Sequence, residues 1–216
     1  DLKNPLSAFR SITQNLNDNK LQISKEEIEY FVGRMNQSAN QLYDLLQNLL
    51  NWAISQIGKL PYAPEKSSLA DVENNNDALI QKNTLQKKQQ IKIKVPEQLQ
   101  VMADKNMIQT VVRNLFSNAV RFTPENGTIE LSAQKENGEM IFSIADTGPG
   151  IAAEDIKKLF RIEEDVTKVG SSPEKGTGLG LILCKELIEK NKGRIWVESS
   201  AGQGSRFSFA LPADGI

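Results

Sequence analysis

The sequence lacks several residue types, and each absence excludes a class of chemistry. Its 216 residues contain no histidine and one cysteine, Cys184. Histidine bases, histidine metal ligands and an internal disulfide bond are therefore excluded from these residues. A lone cysteine in an apolar helical stretch is typical of core packing in a reducing, cytoplasmic compartment.

Excess charge and long apolar runs are also missing. The formal net charge is −1, so the chain lacks the basic surplus that is typical of nucleic-acid binding. No apolar run approaches the roughly 20 residues that a membrane helix needs. The composition, with 39% hydrophobic and 25% charged residues, is that of a soluble globular chain with room for one large domain or two small ones.

The first 60 residues predict a helical hairpin. Apolar residues recur at helical spacing from Leu2 to Leu16, and Ser24 with Glu27 forms the pattern of a capping box that opens a second helix. Along that helix a stripe follows alternating steps of three and four residues: Ile28, Phe31, Met35, Ser38, Leu42, Leu45, Leu49 and Trp52. A hairpin of this length cannot bury two such stripes by itself, so the pattern favours a homodimer with a four-helix bundle. The alternative is that the stripe packs against the rest of the chain.

The remaining residues, 61–216, alternate between helical and strand periods after a linker predicted at Gly58–Ser68. The predicted elements are a helix at Leu69–Lys88, strands at Gln90–Val95 and Leu99–Met102, a helix at Lys105–Phe122, a hairpin of Thr128–Lys135 with Met140–Ala145, a short helix at Asp155–Phe160, a helix from Leu179 to Gly193, and strands at Arg194–Ser199 and Ser205–Leu211. This mixture predicts an α+β chain whose second domain is an α/β sandwich, with helices covering one face of a mixed sheet.

Two glycine-rich stretches in this second domain favour a ligand that is held at both ends. The strand at Met140–Ala145 leads to Asp146 and then to an open glycine turn, where backbone N–H groups can approach a ligand closely. The second cluster, residues 176–180, runs directly into a helix, and a helix start favours phosphate. Each stretch alone is often only a tight packing turn. Together they indicate a nucleotide held by its base and its phosphates.

The helix at Lys105–Phe122 adds polar groups suited to such a ligand. Asn114 and Asn118 lie four residues apart and share one face, and Arg121 and Phe122 follow them. An amide oxygen can ligate Mg²⁺, a guanidinium can offset phosphate charge, and an aromatic ring can lie against adenine. Alone, this face would equally be a solvated polar surface.

Four stretches in register resemble the motifs of one enzyme family. Residues 114–124 are similar to the asparagine box of sensor histidine kinases, 146–151 to their first glycine box, 158–160 to their phenylalanine box and 176–181 to their second glycine box. Residues 202–207 are similar to the closing glycine turn of the same domain. The resemblance implies a kinase core of a two-component system, with a dimerisation and histidine-phosphotransfer hairpin at 1–60 and a catalytic ATP-binding domain at 61–216.

The resemblance also implies a site for ATP and Mg²⁺. In it Asp146 would accept a hydrogen bond from the adenine amino group, Asn118 would ligate Mg²⁺ and Asn114 would support the phosphates, while Arg121 stands where the family commonly has lysine. The other residues implied to bind the nucleotide are Phe122, Gly148, Gly150, Ile151, Phe160, Gly176, Thr177, Gly178, Leu179, Gly180 and Leu181. The polar, irregular segment Arg161–Lys175 resembles the mobile lid of these enzymes.

One position separates this sequence from related ATPases. The gyrase, mismatch-repair and heat-shock chaperone types use a glutamate four residues before the metal asparagine to activate water. Here that position is Asn114, which cannot take up a proton as a carboxylate does. The residue favours transfer to a positioned acceptor over hydrolysis. A chaperone-like ATPase is the alternative, and it predicts steady hydrolysis that depends on Asn114.

The acceptor that the resemblance implies is a histidine. Residues 1–6 resemble the family's acceptor box without that histidine, which is expected immediately before Asp1. By this resemblance Asp1 would act as base toward the acceptor imidazole, and Asn4 would orient water when a response regulator, the expected partner, is dephosphorylated. Two interpretations stay open: a kinase core whose acceptor lies upstream of these residues, or a pseudokinase that signals by conformation as a nucleotide-sensing dimer.

Overall fold

The computed structural model describes residues 3–18, 24–56, 60–68, 84–96, 99–161 and 179–213. Two compact units make up the chain, Asp1–Leu60 and Pro61–Ile216. Within the described ranges, no helix has both the length and the apolar character needed to cross a membrane.

The first unit is a helical hairpin of α1 (Lys3–Asp18) and α2 (Lys25–Gln56). α2 opens with the predicted capping box. Ser24 N donates to Glu27 Oε2 at 2.9 Å, and Glu27 N donates to Ser24 Oγ at 3.2 Å. The hydrogen bonds from the Ser24 backbone and hydroxyl hold the pKa of Glu27 below its ordinary value. Two backbone donors at the helix start are thereby satisfied, which is why the helix begins at this point.

α2 carries two adjacent apolar stripes. The predicted stripe lies partly inward, with Ser38 buried and Phe31, Met35, Leu42 and Leu49 half-buried. The second, which we call the outer stripe, is exposed and consists of Ile28, Val32, Tyr43, Leu46 and Leu50. Ile28 had been assigned to the first stripe by its spacing, and the structure places it in the exposed one.

The second unit is built on two β-sheets. β1 (Glu65–Ser68) pairs antiparallel with β3 (Gln100–Ala103). The larger sheet has the order β2-β4-β5-β7-β6, formed by β2 (Gln90–Lys94), β4 (Thr128–Glu136), β5 (Glu139–Asp146), β7 (Ser205–Pro212) and β6 (Arg194–Ser199). β2 is parallel to β4, and the other neighbours are antiparallel. The predicted mixed sheet is therefore confirmed.

The helices of this unit cover one face of the larger sheet. α3 (Lys105–Phe122) contacts β5, and α5 (Leu179–Lys190) contacts β6 and β7. Because α3 and α5 also contact each other, they lie on the same face. Between them and the sheet, Phe142 and Phe209 stack with ring centroids 5.3 Å apart. Burial of such aromatic and aliphatic side chains is the main force that holds the layers together.

Three predicted elements need correction or lie beyond the described residues. Glu65–Ser68, predicted as linker, is β1, which pairing with β3 stabilises although its four residues are polar. The short helix predicted at Asp155–Phe160 is α4 (Ala153–Ile156), because the carbonyl of Ala152 accepts hydrogen bonds that start the turn two residues earlier. The helix predicted at Leu69–Lys88 lies outside the described residues up to 83, and residues 84–86 are helical.

Candidate functional site

Helix α3 brings two predicted amide side chains to one place. Its 18 residues begin after the N-cap Asp104, whose Oδ1 accepts a hydrogen bond from Met107 N at 3.1 Å. Asn114 and Asn118 lie one helical turn apart, and both are half-buried. Their shared face is the one that sequence spacing predicted.

The start of α5 lies directly against Asn114. A Cβ atom at Gly180 would stand 3.2 Å from Asn114 Oδ1, so any larger residue at this position would crowd the amide. The amide is also oriented, because Asn114 Nδ2 donates to the carbonyl of Thr110 at 3.0 Å. Leu179, Gly180 and the following Leu181 form the first turn of α5, as predicted. The structure thus brings the asparagine face of α3 beside a helix start.

Asp146 is the last residue of β5, and its carboxylate is turned toward the following glycine turn. Asp146 Oδ1 accepts a hydrogen bond from Gly148 N at 2.8 Å. Burial raises the pKa of the Asp146 carboxyl above its ordinary value, although hydrogen bonds from the backbone of Gly148 and Ser205 partly oppose this. Burying a carboxylate is costly unless something compensates it, so this is the arrangement of a functional group more than of a structural one.

Glycine is required around Asp146 because the backbone approaches so closely. A Cβ at Gly148 would lie 2.6 Å from Asp146 Oδ1 and 2.9 Å from the carbonyl oxygen of Phe122, the last residue of α3. Gly204 has φ of +77°, and a Cβ there would collide with the Asp146 carbonyl. The carboxylate, its turn and the C-terminal end of α3 therefore form one tightly packed group.

A hydroxyl network supports this turn from the other side. Ile151 N donates to Ser199 Oγ at 2.9 Å, and Ser199 Oγ donates to the carbonyl of Gly204 at 2.7 Å. Ser199 Oγ also lies 3.0 Å from Ser205 Oγ. Ile151 thus has a defined position at the end of the turn that Gly150, with φ of +69°, makes possible. Sequence reasoning missed Ser199, because nothing in its local pattern reveals a partner 48 residues away, whereas Ser205 lies within the predicted glycine turn of residues 202–207.

Arg121 and Phe122 contact each other at the end of α3. The Arg121 guanidinium carbon lies 4.5 Å from the centroid of the Phe122 ring, a cation–π arrangement, and both side chains are half-buried. Phe122 was expected to lie against adenine, and in the structure its ring is paired with Arg121. The carbonyl of Phe122, as noted, faces Gly148.

The structure describes most of the predicted site residues. Asn114 lies against Gly180, and Gly148 lies against both the Phe122 carbonyl and the Asp146 carboxylate. Phe160 is half-buried in the turn after α4. Asp1, Gly176, Thr177 and Gly178 lie outside the described residues, as does nearly all of the predicted lid, and Asn4 is described only as a residue of α1.

Four polar residues that sequence reasoning missed tie the two ends of α3 to the rest of the unit. At its start, Asp104 Oδ2 accepts a hydrogen bond from Ala63 N at 2.9 Å, and Asp104 N donates to Asn191 Oδ1 at 2.8 Å. At its end, Lys87 and Gln89 donate to backbone carbonyls. The Asp104 cap has a sequence signal, an aspartate directly before an apolar helical pattern, whereas the other three contacts have none.

The described residues contain no cluster of three or more acidic, cysteine or histidine side chains able to hold a metal by themselves. A divalent cation at this site would therefore need oxygen donors from an amide, water and a bound phosphate. That donor set suits Mg²⁺, which commonly keeps several waters and binds substrate phosphates. Asn118, half-buried and one helical turn beyond Asn114 on the same face of α3, fits such a role.

A mixed sheet covered on one face by helices, with a half-buried aspartate at a strand end and an asparagine against a helix start, is the arrangement of an ATPase-type nucleotide-binding fold. Residues 103–215 match the family of histidine kinase-, DNA gyrase B- and HSP90-like ATPases. The chain belongs to this family, and its resemblance to sensor histidine kinases is confirmed.

Individual relatives are kinases of the same kind. The adaptive-response sensory kinase SasA of Crocosphaera subtropica is 34% identical over 226 residues, covering 98% of this chain and 56% of that protein. The histidine kinase AdeS of Acinetobacter baumannii has a TM-score of 0.73 at 20% identity, covering 99% of this chain and 98% of that one. The histidine kinase ThkA, in complex with the response regulator TrrA, has a TM-score of 0.71 at 23% identity, covering 99% of this chain and 59% of that one. These two structures show the fold, and the chain corresponds to little more than half of the longer SasA kinase.

Proposed function

We propose that the chain is the cytoplasmic kinase core of a two-component sensor histidine kinase. It binds ATP with Mg²⁺ and transfers the γ-phosphoryl group to a histidine, expected immediately before Asp1, from which a response-regulator aspartate receives it. Membership of the histidine-kinase-type ATPase family supports this reaction class.

The observation that carries the proposal is the half-buried carboxylate of Asp146 at the end of β5. Burial raises its pKa, and among the described residues no cation compensates the charge, only backbone N–H groups. A fold gains no stability from such a group, so its use lies in binding. The oxygen not engaged by Gly148 can accept a hydrogen bond from the exocyclic amino group of adenine, which guanine lacks at the equivalent position.

The other end of the site suits phosphate and metal. The N–H groups of the first turn of α5 are free of intrahelical partners and carry the positive end of the helix dipole. Asn114 stands against this turn at Gly180, and Asn118 offers an amide oxygen one helical turn further on. When bound, Mg²⁺ would neutralise charge on the phosphates; the residues of this chain hold and orient them.

The same residues favour phosphoryl transfer over hydrolysis. Asn114 stands at the position where a water-activating ATPase needs a carboxylate, and its amide is already oriented by the Thr110 carbonyl at 3.0 Å. An amide can position a phosphate but cannot remove a proton from water. The site therefore holds ATP ready until a second nucleophile arrives, which is the requirement of a transferase.

The acceptor and the partner come from outside these residues. Since the 216 residues contain no histidine, the phosphorylated residue must be supplied by an upstream stretch or by another chain. A response-regulator receiver is the proposed second acceptor, because the similar kinase ThkA forms a complex with a response regulator. The hairpin would dimerise through its outer stripe and so present the acceptor helices.

Two measurements test the proposal. Calorimetric titration of the 216-residue chain with ADP and Mg²⁺ should show micromolar binding, and an absence of heat would reject the nucleotide site. A version extended by its natural upstream residues, incubated with labelled ATP, should acquire phosphate that is labile in acid and stable in alkali. Nucleotide binding without any such label would favour the pseudokinase instead, and steady hydrolysis lost in Asn114→Ala would favour the chaperone-like ATPase.

A further inference from the structure

Two side chains from the segment before β2 close over the C-terminal end of α3. Lys87 Nζ donates to the carbonyls of Val120, Arg121 and Thr123 at 3.1, 2.7 and 3.4 Å. Gln89 Nε2 donates to the carbonyls of Val120 and Thr123 at 3.0 and 2.7 Å. We call Lys87 and Gln89 the carbonyl clasp.

The carbonyl clasp supplies hydrogen-bond donors to the last backbone carbonyls of α3. The last carbonyls of any α-helix lack intrahelical partners, and they carry the negative end of the dipole. Val120 and Thr123 are buried, so water cannot easily serve them. A lysine ammonium offers charge and several donors at once, and a glutamine amide adds two more. α3 therefore depends on a remote segment to complete its end.

The arrangement of Gln89 shows that this capping has a cost. Gln89 is buried, and no described residue forms a hydrogen bond with its Oε1. An unpaired buried acceptor destabilises a fold. Turning the amide over would take Nε2 away from the two helix carbonyls and place Oε1 against them, where it would find no donor because a carbonyl oxygen only accepts. In the observed orientation Gln89 Nε2 stabilises the helix end, while Oε1 has no hydrogen bond among the described residues.

The clasped end of α3 is also the end next to Asp146. Phe122, one residue after the clasped Arg121 carbonyl, presents its own carbonyl to Gly148, where a Cβ would lie 2.9 Å away. The backbone following the helix is joined to the same segment, since Asn126 N donates to the Lys87 carbonyl at 2.9 Å. A shift of the helix end would therefore move the surroundings of Asp146, whereas Asn114 and Gly180 lie two turns away along the helix.

We propose that Lys87 and Gln89 are positioning residues of the nucleotide site, which fix the helix end beside Asp146 and thereby set discrimination between adenine and other bases. The inference rests on the proposed nucleotide function. It assigns to the clasp the base end of the site and leaves the phosphate end to the first turn of α5 and to Asn114, which lies two helical turns before the clasped end of α3.

The test compares three variants of the 216-residue chain by calorimetry with ADP and with GDP, each in the presence of Mg²⁺. Lys87→Met removes the charge and all three donors while keeping a long apolar stem. Lys87→Arg keeps the charge and donors, and Lys88→Met makes the same change at the exposed neighbouring residue. Lys87→Met should weaken ADP binding by about tenfold and narrow the preference for ADP over GDP, since small displacements of a binding group cost about this much or more.

The controls separate positioning from general loss of structure. Lys87→Arg should restore both the ADP affinity and the base preference to within about threefold of the parent chain, because it again supplies donors to the helix end. Lys88→Met should bind as the parent does. If Lys87→Met fails to fold by circular dichroism, Lys87→Gln, which keeps an amide donor of shorter reach, takes its place.

Distinct results would overturn the two levels of inference. If the parent chain binds no ADP, the nucleotide function itself is wrong. If the parent binds ADP and the folded Lys87→Met variant binds ADP and GDP as the parent does, the clasp has only a structural role. An equal loss for ADP and GDP, with the base preference unchanged, would likewise reject base positioning.

Discussion

At the scale of single residues, Asp146 is the position where the stability of the fold and the proposed function oppose each other. Its carboxylate is buried enough for the pKa to rise, and only backbone N–H groups oppose that rise. The ionised form is therefore less favourable in the folded chain than in the unfolded one. Use by a ligand, the role proposed for Asp146, would account for such a residue, which makes it the most informative position for substitution.

Asp146→Asn should separate the two roles. The asparagine keeps an oxygen for the hydrogen bond from Gly148 N, seen at 2.8 Å, but presents an amide donor where the carboxylate had an acceptor. We expect ADP affinity to fall by at least about tenfold, the factor that corresponds to one lost hydrogen bond, while the thermal midpoint rises. Calorimetry and thermal unfolding measure the two effects. The same substitution at Asp155, which only pairs with Lys158 near the surface, should change neither quantity, and undiminished ADP binding by Asp146→Asn would contradict the assignment.

The raised pKa of Asp146 also predicts a direction for stability against pH. Between the ordinary aspartate pKa, about 3.9, and the higher folded value, the folded chain binds more protons than the unfolded chain. The unfolding free energy contributed by this group therefore falls as pH rises through that window and stays low above it. Urea unfolding of the parent and of Asp146→Asn from pH 3.5 upward should show the variant's relative stability increasing with pH. The other acidic groups contribute equally to both chains, so they cancel when the unfolding free energy of the parent is subtracted from that of the variant. A difference that declines as pH rises would show that the folded pKa of Asp146 is lowered.

The candidate site residues that lie in local patterns could be grouped from the sequence. Asp146 and Gly148 stand two residues apart at a strand end, and Asn114 with Asn118 share a helix face, so spacing alone groups them. Ser199 and Lys87 could not be found in this way. Each acts through a backbone group about 5 to 50 residues away, and only the folded register brings donor and acceptor together.

At the scale of elements, α3 links the parts of the site, and both of its ends are fixed by distant groups. The helix is 18 residues long, hence about 27 Å, and it carries the asparagines in its second half. Asp104 holds its start to Ala63 and Asn191, and the carbonyl clasp holds its end. Because both ends are held, the asparagines keep a defined position relative to the start of α5.

Asp104 offers a matched pair of substitutions at the start of α3. Asp104→Asn keeps an oxygen to cap Met107 N, because asparagine caps helices as well as aspartate does, but turns a donor toward Ala63 N. Asp104→Ala loses both contacts. We expect urea unfolding to show losses of about 1–2 kcal/mol for Asp104→Asn and about 2–4 kcal/mol for Asp104→Ala. Equal losses would mean that the contact with Ala63 contributes nothing and that the cap alone matters.

Some helices and strands could be predicted from the sequence with their bounds, and others could not. α3 begins and ends where its pattern predicted, because Asp104 caps the start and the apolar period runs without interruption to Phe122. β1 was missed because its residues, Glu65–Ser68, are polar and lack alternation; its strand form comes from pairing with β3. A short polar strand of this kind is defined by its partner, and a sequence window of four residues contains no trace of that partner.

At the scale of the whole molecule, the helical hairpin leaves an apolar surface uncovered. The outer stripe of α2 recurs at helical spacing along much of the helix, and its members are between 46% and 63% exposed. Scattered exposed apolar residues are ordinary, but these fall on one face of α2 in two groups, Ile28 with Val32 and Tyr43 with Leu46 and Leu50, and a shared face of this kind is typical of a helix that packs on another helix. Since the predicted inner stripe is already turned partly inward within the hairpin, we infer that a second copy of the hairpin covers the outer one.

The outer stripe provides a control of equal exposure. Tyr43 lies in the stripe and Tyr30 lies on another side of α2, and both side chains are 63% exposed. Replacing either by glutamate introduces the same charge, but only Tyr43→Glu would bury that charge in the proposed dimer, where an unpaired carboxylate is strongly unfavourable. Light scattering after size-exclusion chromatography should therefore show a dimer for the parent chain and for Tyr30→Glu, and a shift toward monomer for Tyr43→Glu, increased further by Leu46→Glu.

ADP binding should persist in all of these chains because the proposed nucleotide site belongs to the second unit. A parent chain that is monomeric at tens of micromolar, or a Tyr43→Glu variant as dimeric as Tyr30→Glu, would show that another surface, or none, joins the copies.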